Sequence, residues 1–277
     1  MIDGKLIKKE LLKELKEKTK GLIPPLSMVI LQVGNNPASN IYVKSKKKLC
    51  SSLGYEVTHI QFDEDVKQEE IIKVIDELND NKGVDGIFLQ LPIPKHLDSG
   101  YIQNRIRVDK DIDGLSDENI GKLAHNNPCL VPSTAQGIVD MLDYYKVPLE
   151  GKKVVIIGRS DLVGKPLMLE MINRNATVTL CHSKTKNLKE ETVKADILVV
   201  AIGKPKFITK EYVKENSYVI DVGINRLEDG SIVGDVDYDD VLEKTNNITP
   251  VPGGVGQMTV YEVANNVYKA RMLKKIK

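Results

Sequence analysis

The chain has no tryptophan, 3 phenylalanines and 3 cysteines in 277 residues, and almost no net charge, since 40 Lys and Arg face 39 Asp and Glu. Each shortage removes a class of protein. Near-neutrality argues against a protein that holds nucleic acid or a membrane surface by bulk charge, so small molecules are the expected partners. Cys50, Cys129 and Cys181 lie far apart and form no CxxC pair, which points away from both a disulfide framework and a zinc knuckle. A reducing, cytoplasmic setting fits. No run reaches the roughly 18 apolar residues of a membrane-spanning helix. The N-terminal MIDGKLIKKELLKELKEKTK interrupts its apolar positions with charges, as an amphipathic helix does and a signal peptide does not.

What is present is a rhythm. Apolar, β-branched runs SMVILQV, YEVTHIQF and VDGIFLQL alternate with a helical pattern from about Ser39, with QEEIIKVIDELND, and with a proline-rich loop. That is the βαβ order of a parallel sheet. After YKVPLEGKK it resumes with VVIIG, ATVTLC, ADILVVAIG and SYVIDVG, the helices KPLMLEMINRN and LKEETVK lying between the first three. The length exceeds the ~100–200 residues of one ordinary domain, so the expectation is an α/β protein of two domains. Residues 1–120 with a returning C-terminal helix, 257–277, form one; residues 121–256 form the other, a Rossmann-like, doubly wound parallel sheet. The rhythm breaks at HNNPCLVPSTAQG, before a helix that Ser133 or Thr134 would cap.

In KKVVIIGRSDLVGKPLMLEM a buried strand ends at Gly158 and a helix follows whose first turn holds Gly164, Lys165 and Pro166. A glycine there permits a sharp turn, and the helix start offers unpaired N–H groups to a pyrophosphate. The GxGxxG fingerprint is absent, and an ordinary βα turn has the same outline. The next strand ends in Cys181, His182 and Ser183, where an NAD site usually places an acid on the ribose. With Arg159 near the loop, NADP is favoured over NAD.

Three features of the first block carry chemistry. Tyr42 and Lys46 are four apart and share a helix face, able to hold a flat ligand and move a proton, although KSKKK also reads as a solvated surface. Gln90 ends a buried strand, where ligands of such sheets bind; its partner is either Lys46 or a loop backbone. In RVDKDIDGLS, Asp109, Asp111 and Asp113 alternate, but the downstream residues of a Ca²⁺ loop are missing, so no metal is expected and Asp113 is either a turn residue or a grip for ligand N–H groups. Finally, TPVPGGVGQMT packs glycines after Pro252, permitting positive φ and close backbone approach.

Together YVKSK (42–46), QLPIP (90–94), KDIDGL (110–115), GRSDLVGKP (158–166), TVTLCHSKT (177–185), DVGIN (221–225) and PVPGGVGQMT (250–259) resemble the bifunctional methylenetetrahydrofolate dehydrogenase/methenyltetrahydrofolate cyclohydrolase family. The resemblance runs over essentially the whole chain. It implies two α/β domains around a cleft, a homodimer, and a place in one-carbon metabolism and purine biosynthesis. It makes Lys46 the catalytic lysine with Gln90 beside it, Tyr42 packing on the folate and Asp113 on the pterin. Tyr42, Val43, Lys44, Ser45 and Lys46, then Leu89, Gln90 and Leu91, then Pro252, Gly253, Gly254, Val255 and Gly256 would border the substrate. Gly158, Arg159, Ser160, Ser183 and Ile224 would line the NADP site. Two loops depart from the family pattern, VPSTAQGI in place of a Pro-Cys-Thr-Pro segment and Gln257 in place of a proline.

The implied chemistry is NADP-dependent oxidation of 5,10-methylenetetrahydrofolate to the methenyl cation, then hydrolysis to 10-formyltetrahydrofolate. A lysine serving as base near pH 7 needs its pKa depressed by roughly 3 units from about 10.4, a bias of about 4 kcal/mol. A generic NADP oxidoreductase, an NADP-binding regulator, or an enzyme with one of the two activities is the alternative. Lys44, Lys47 and Lys48 read as a solvated face.

Overall fold

The computed structural model describes residues 1–275; positions 276–277 of the expected C-terminal helix lie outside the described residues. In chain order the first elements are α1 (Gly4–Thr19), β1 (Ser27–Val33), α2 (Pro37–Ser52), β2 (Glu56–Phe62), α3 (Gln68–Asp80), β3 (Gly86–Gln90), α4 (Ser99–Arg105) and α5 (Asp117–Ala124). There follow α6 (Ser133–Tyr144), β4 (Lys153–Ile157), α7 (Gly164–Asn173), β5 (Thr177–Cys181), α8 (Leu188–Thr192), β6 (Ile197–Val200) and β7 (Tyr218–Asp221). A short antiparallel pair, β8 (Asn225–Arg226) and β9 (Ile232–Val233), then α9 (Tyr238–Val241) and α10 (Val255–Lys275), complete the described chain.

Two compact units result: Leu12–Ser133 with Val260 onward, and Met1–Leu11 with Thr134–Thr259. Two limits fall at 133/134 and 259/260, where 120/121 and 256/257 were expected, and a third at 11/12 groups Met1–Leu11 with the second unit, where residues 1–120 were expected together. The first unit holds a parallel sheet in the order β2-β1-β3 and the second a parallel sheet in the order β5-β4-β6-β7. In each, the chain leaves a central strand in one direction and later returns to its other side, so the strand order reverses between β1 and β3 and between β4 and β6. Ligands of such sheets bind outside the carboxyl ends at that reversal.

The strands form because their runs are apolar on both faces: all but the first residue of β1 and all of β3 are buried, as in a sheet covered on both sides. Ile71, Ile75 and Asn79, four apart on α3, face the cluster of Val29, Leu31, Ile87 and Leu89. Side chains cap α4 and α5, where Asp98 accepts from the Tyr101 amide at 3.0 Å and Ser116 from the Asn119 amide at 3.4 Å. The cap expected at Ser133 or Thr134 does not form: α6 already includes both, the Ser133 hydroxyl is buried without a partner, and Thr134 Oγ1 lies 3.2 Å from Thr259 Oγ1. In the first unit, α10 is fastened by Arg271, whose guanidinium pairs with both oxygens of the buried Asp85. No helix among the described residues is long and apolar enough to cross a membrane.

Candidate active site

Helix α2 lies against the sheet with Val43, Lys46 and Cys50 buried along one side and Lys44 and Lys48 exposed. Lys46, only 5% exposed, is a long cation in an apolar setting. Its Nζ donates to Gln90 Oε1 at 3.0 Å and stands 3.7 Å from the centre of the Phe88 ring. Alternation along β3 explains the pairing, since Phe88 and Gln90 are two apart and therefore face α2 together. Phe88 is a site residue that the sequence reading missed, although the same period-2 rule finds it once Gln90 is chosen. Gln90 fixes its own orientation by donating Nε2 to Leu91 O at 2.5 Å.

Burial is the dominant influence on Lys46 and lowers its pKa below the ordinary lysine value; the nearby Asp113 carboxyl and the Cys50 thiol oppose this only partly. Cys50 is pushed up to about 12 by burial, so its thiol stays neutral.

Asp109, Asp111 and Asp113 take three different roles. Residues 110–112 run alongside β3, with the Ile87 amide donating to Lys110 O at 2.7 Å, which carries Asp113 toward the carboxyl end of the sheet. Asp111 is fully buried and accepts from Gln103 Nε2 at 2.8 Å, the Gly114 amide at 3.0 Å, the Ser116 amide at 2.8 Å and Asn119 Nδ2 at 3.0 Å. It holds the loop. Asp109 pairs with Arg107 at 2.8 Å near the surface. Asp113 accepts no hydrogen bond among the described residues. Burial, and secondarily Asp111, raises its pKa, while Lys46 works to lower it. Its side chain keeps some solvent access. Asn266 on α10 steadies the loop by donating Nδ2 to Ile112 O and to Val131 O, both at 3.0 Å.

Of the other first-unit residues, Tyr42 is half-buried beside Lys46 on α2, and Leu91 is half-buried after β3. Leu89 lies in the core cluster on the opposite face of β3. Ser45 is exposed and donates Oγ to Ile41 O at 2.9 Å.

The second unit offers a nucleotide end. Gly158 has φ of +124°, and a Cβ there would stand 2.2 Å from Ala201 O, so strand and neighbouring loop approach as only glycine permits. A Cβ on Gly164 would meet Gly158 O at 2.0 Å, so α7 starts directly behind the strand end. The start of α7 has Val163 at its cap position with no side-chain hydrogen bond, but the Lys165 amide already donates to Ser160 O at 3.1 Å and Pro166 has no N–H, so the Gly164 amide is what the first turn can offer an anion. Arg159 and Ser160 are exposed beside it, and Ser160 Oγ accepts from the Val163 amide at 3.2 Å. At the end of β5, Ser183 is exposed and no acid stands among His182, Ser183 and Lys184. These features fit a dinucleotide with a 2′-phosphate.

Two carboxylates missed by the sequence reading shape this end. Asp235 accepts from three successive amides of the turn after β6, Ile202 at 2.7 Å, Gly203 at 3.0 Å and Lys204 at 2.8 Å, and from Asn225 Nδ2 at 2.9 Å. Asp221, at the end of β7, accepts from the Gly223, Asp235 and Val236 amides, each at 2.9 Å. Burial raises Asp221 to about 6 despite those amides. Ile224, between the two anchored residues, is half exposed and its Cδ1 would lie 3.3 Å from a Cβ on Gly256. Gly253 takes φ of +121° and turns the chain into α10, whose first turn begins at Val255 and so absorbs Val255 and Gly256 from the expected glycine loop. Gln257 accepts from Lys8 Nζ at 3.4 Å.

Two family models cover the chain. The catalytic domain of tetrahydrofolate dehydrogenase/cyclohydrolase matches residues 2–113, and the NAD(P)-binding domain of the same enzymes matches residues 132–275. A bifunctional protein FolD of Clostridium novyi is 48% identical over 270 residues, 96% of this chain and 97% of that protein. The solved FolD dehydrogenase/cyclohydrolase of Campylobacter jejuni superposes with a TM-score of 0.95 at 41% identity, covering 98% of each chain. The Trypanosoma brucei dehydrogenase-cyclohydrolase, solved with NADP and an inhibitor, gives a TM-score of 0.89 at 32% identity over 98% of this chain and 95% of its own.

Proposed function

The chain belongs to the tetrahydrofolate dehydrogenase/cyclohydrolase family, and from that premise we propose that Lys46 and Asp113 serve the chemistry while the Gly158 end holds the cofactor. The enzyme oxidises 5,10-methylenetetrahydrofolate with NADP and hydrolyses the resulting 5,10-methenyl cation to 10-formyltetrahydrofolate. Bound NADP supplies the hydride acceptor. Gly158, Arg159, Ser160, Ser183 and Ile224 bind it, the Gly164 amide at the start of α7 receiving its pyrophosphate and the β5 end accommodating its 2′-phosphate.

The observation that carries the reading is a buried lysine whose one side-chain hydrogen bond among the described residues goes to a neutral amide. A carboxylate in place of Gln90 would fix the ammonium; an amide oxygen orients the amine and leaves it free to lose its proton. Positive charge develops on the folate during oxidation and disfavours a second cation nearby, so the neutral amine is the form compatible with the methenyl product. In the hydrolytic step that amine takes a proton from the attacking water and returns one as the ring opens. Asp113, which accepts no hydrogen bond among the described residues, grips pterin N–H groups, and half-buried Tyr42 packs on the ring system. Pro252 to Gly256 border the folate as well. The balanced charge suits small-molecule partners rather than nucleic acid or a membrane, in a cytoplasmic homodimer feeding one-carbon metabolism and purine biosynthesis.

Purified protein given NADP and methylenetetrahydrofolate tests both halves. NADPH and the absorbing methenyl compound form together, and the methenyl signal then decays faster than in buffer. Failure to reduce NADP overturns the dehydrogenase half; a methenyl signal that persists as it does in buffer overturns the cyclohydrolase half.

A further inference from the structure

The proposed chemistry uses Lys46 and leaves the other lysines of α2 unexplained. Lys44, Lys47 and Lys48 line a hollow of about 590 Å³ together with Gln32, Asn35, Asn40, His59 and Gln61, a size within the range of small-ligand sites. It lies on the flank of α2 away from Lys46: on a 100° helical wheel Lys44, Lys47 and Lys48 cluster on one side and Lys46 with Tyr42 on another.

Four observations mark the hollow as built. It sits at the carboxyl end of the sheet, where Gln61, Gln32 and Gln90 stand in one row as direct partners across β2, β1 and β3. Gln90 serves Lys46; Gln32, only 1% exposed, serves the hollow. Gln32 donates Nε2 to Asn40 Oδ1 at 2.7 Å and to Gly34 O at 3.3 Å, and its Oε1 lies 3.1 Å from His59 Nε2. A carbonyl oxygen only accepts, so His59 Nε2 carries a hydrogen and Nδ1 is the atom left to take a proton.

Second, no carboxylate lines the hollow, although the chain has almost as many acids as bases. Third, Lys44, Lys47 and Lys48 make no ion pair among the described residues. Pairs of like charge three and four apart weaken a helix, and α2 has neither an acid in its first turn nor a base in its last to offset its dipole. Fourth, His59 borders the lysines and is held toward its neutral form by burial and by Lys47. Uncompensated like charge in a shaped recess is relieved by an anion.

We propose that this hollow binds a small anion bearing two or more negative charges, held by Lys44, Lys47 and Lys48 beside His59, whose ring Gln32 fixes. No arginine lines it, so recognition rests on point charges and not on a planar fork. That suits a chain of phosphoryl groups or a compact polycarboxylate. Binding offsets the charge of Lys47, which disfavours protonation of His59, and His59 then takes a proton at Nδ1.

The test uses the full chain, titrated at fixed ionic strength with tripolyphosphate in one arm and citrate in the other. Heat of binding is measured together with the His59 ring resonances across pH. Saturable one-to-one binding is expected, with the His59 titration moved to higher pH and affinity at least tenfold weaker in Lys47→Gln/Lys48→Gln. Turnover by that double variant in the folate assay shows that it is folded. A response to tripolyphosphate alone assigns phosphoryl anions, one to citrate alone assigns polycarboxylates, and one to both supports a site for compact polyanions of either kind. Binding in neither arm, binding that the double variant keeps, or a His59 titration that does not move overturns the proposal.

Discussion

Buried charges at the strand ends of the two units are satisfied to very different degrees. In the second unit, Asp235 collects four donors and Asp221 three, all between 2.7 and 3.0 Å. In the first, Lys46 has a single side-chain hydrogen bond and one aromatic ring, and Asp113 accepts no hydrogen bond among the described residues. The contrast recurs within the first unit. Lys110 is buried too, and its pKa is also lowered, to about 8, by burial, yet its Nζ donates to the carbonyls of Leu78, Asn79 and Asn81 at 2.7 to 2.8 Å and closes the end of α3. A saturated charge fixes loops and has no valence left for a ligand. An unsaturated one keeps its reactivity at a cost to the fold, and a substrate relieves that cost.

Removing a saturated charge should do the greatest damage. Asp235→Ala strands three successive backbone amides and Asn225, so a loss of about 3–5 kcal/mol is expected, read as a large drop in thermal midpoint or as failure to fold. A loss below about 1 kcal/mol would break the comparison. Next comes Gly158→Ala, whose Cβ meets Ala201 O at a strained φ. It should raise KM for NADP by roughly tenfold, about 1.4 kcal/mol, while hydrolysis of supplied methenyltetrahydrofolate changes little. Steady-state kinetics of the two reactions, assayed separately, decide this.

Lys110→Met should cost about 1–3 kcal/mol in thermal denaturation, because carbonyls lose their donor, with both turnover numbers unchanged. The smallest effect is one of pH. Because the Lys46 pKa is lowered in the fold, the unfolded chain binds more protons between that value and about 10.4, so this residue makes stability rise with pH across the interval. The cyclohydrolase rate should likewise fall as pH drops through the lowered value and the amine is protonated. A rate that rises on acidification would place the base elsewhere.

How much of this was legible without coordinates varies by residue. SMVILQV coincides with β1 because a doubly covered strand is an uninterrupted apolar run. Lys46 could be singled out by its spacing from Tyr42, but spacing alone left it level with its solvated neighbours; the motif resemblance raised it, and burial against Phe88 separates it physically. The Asp109, Asp111, Asp113 alternation identified a loop without saying which acid was spare, since that depends on donors from Gln103 and Asn119 in α4 and α5. Asp221 and Asp235 escaped notice because most of their donors are backbone amides, which have no side-chain signature. The helix cap at Ser133 failed for a local reason, as α6 starts one residue too early for its hydroxyl to serve.

The most direct measurement is made on Lys46→Met, with activity and stability read from the same preparation. Loss of a positioned proton-transfer group predicts that methenyltetrahydrofolate hydrolysis falls by about 10²–10⁴-fold. Replacing a sparsely bonded buried cation by an apolar side chain of similar length predicts a thermal midpoint near pH 7 equal to the parent's or higher by ~1 kcal/mol equivalent. Full hydrolytic turnover in that variant, or a collapse of stability like that expected for Asp235→Ala, would contradict the assignment of Lys46 as the unsaturated, working charge.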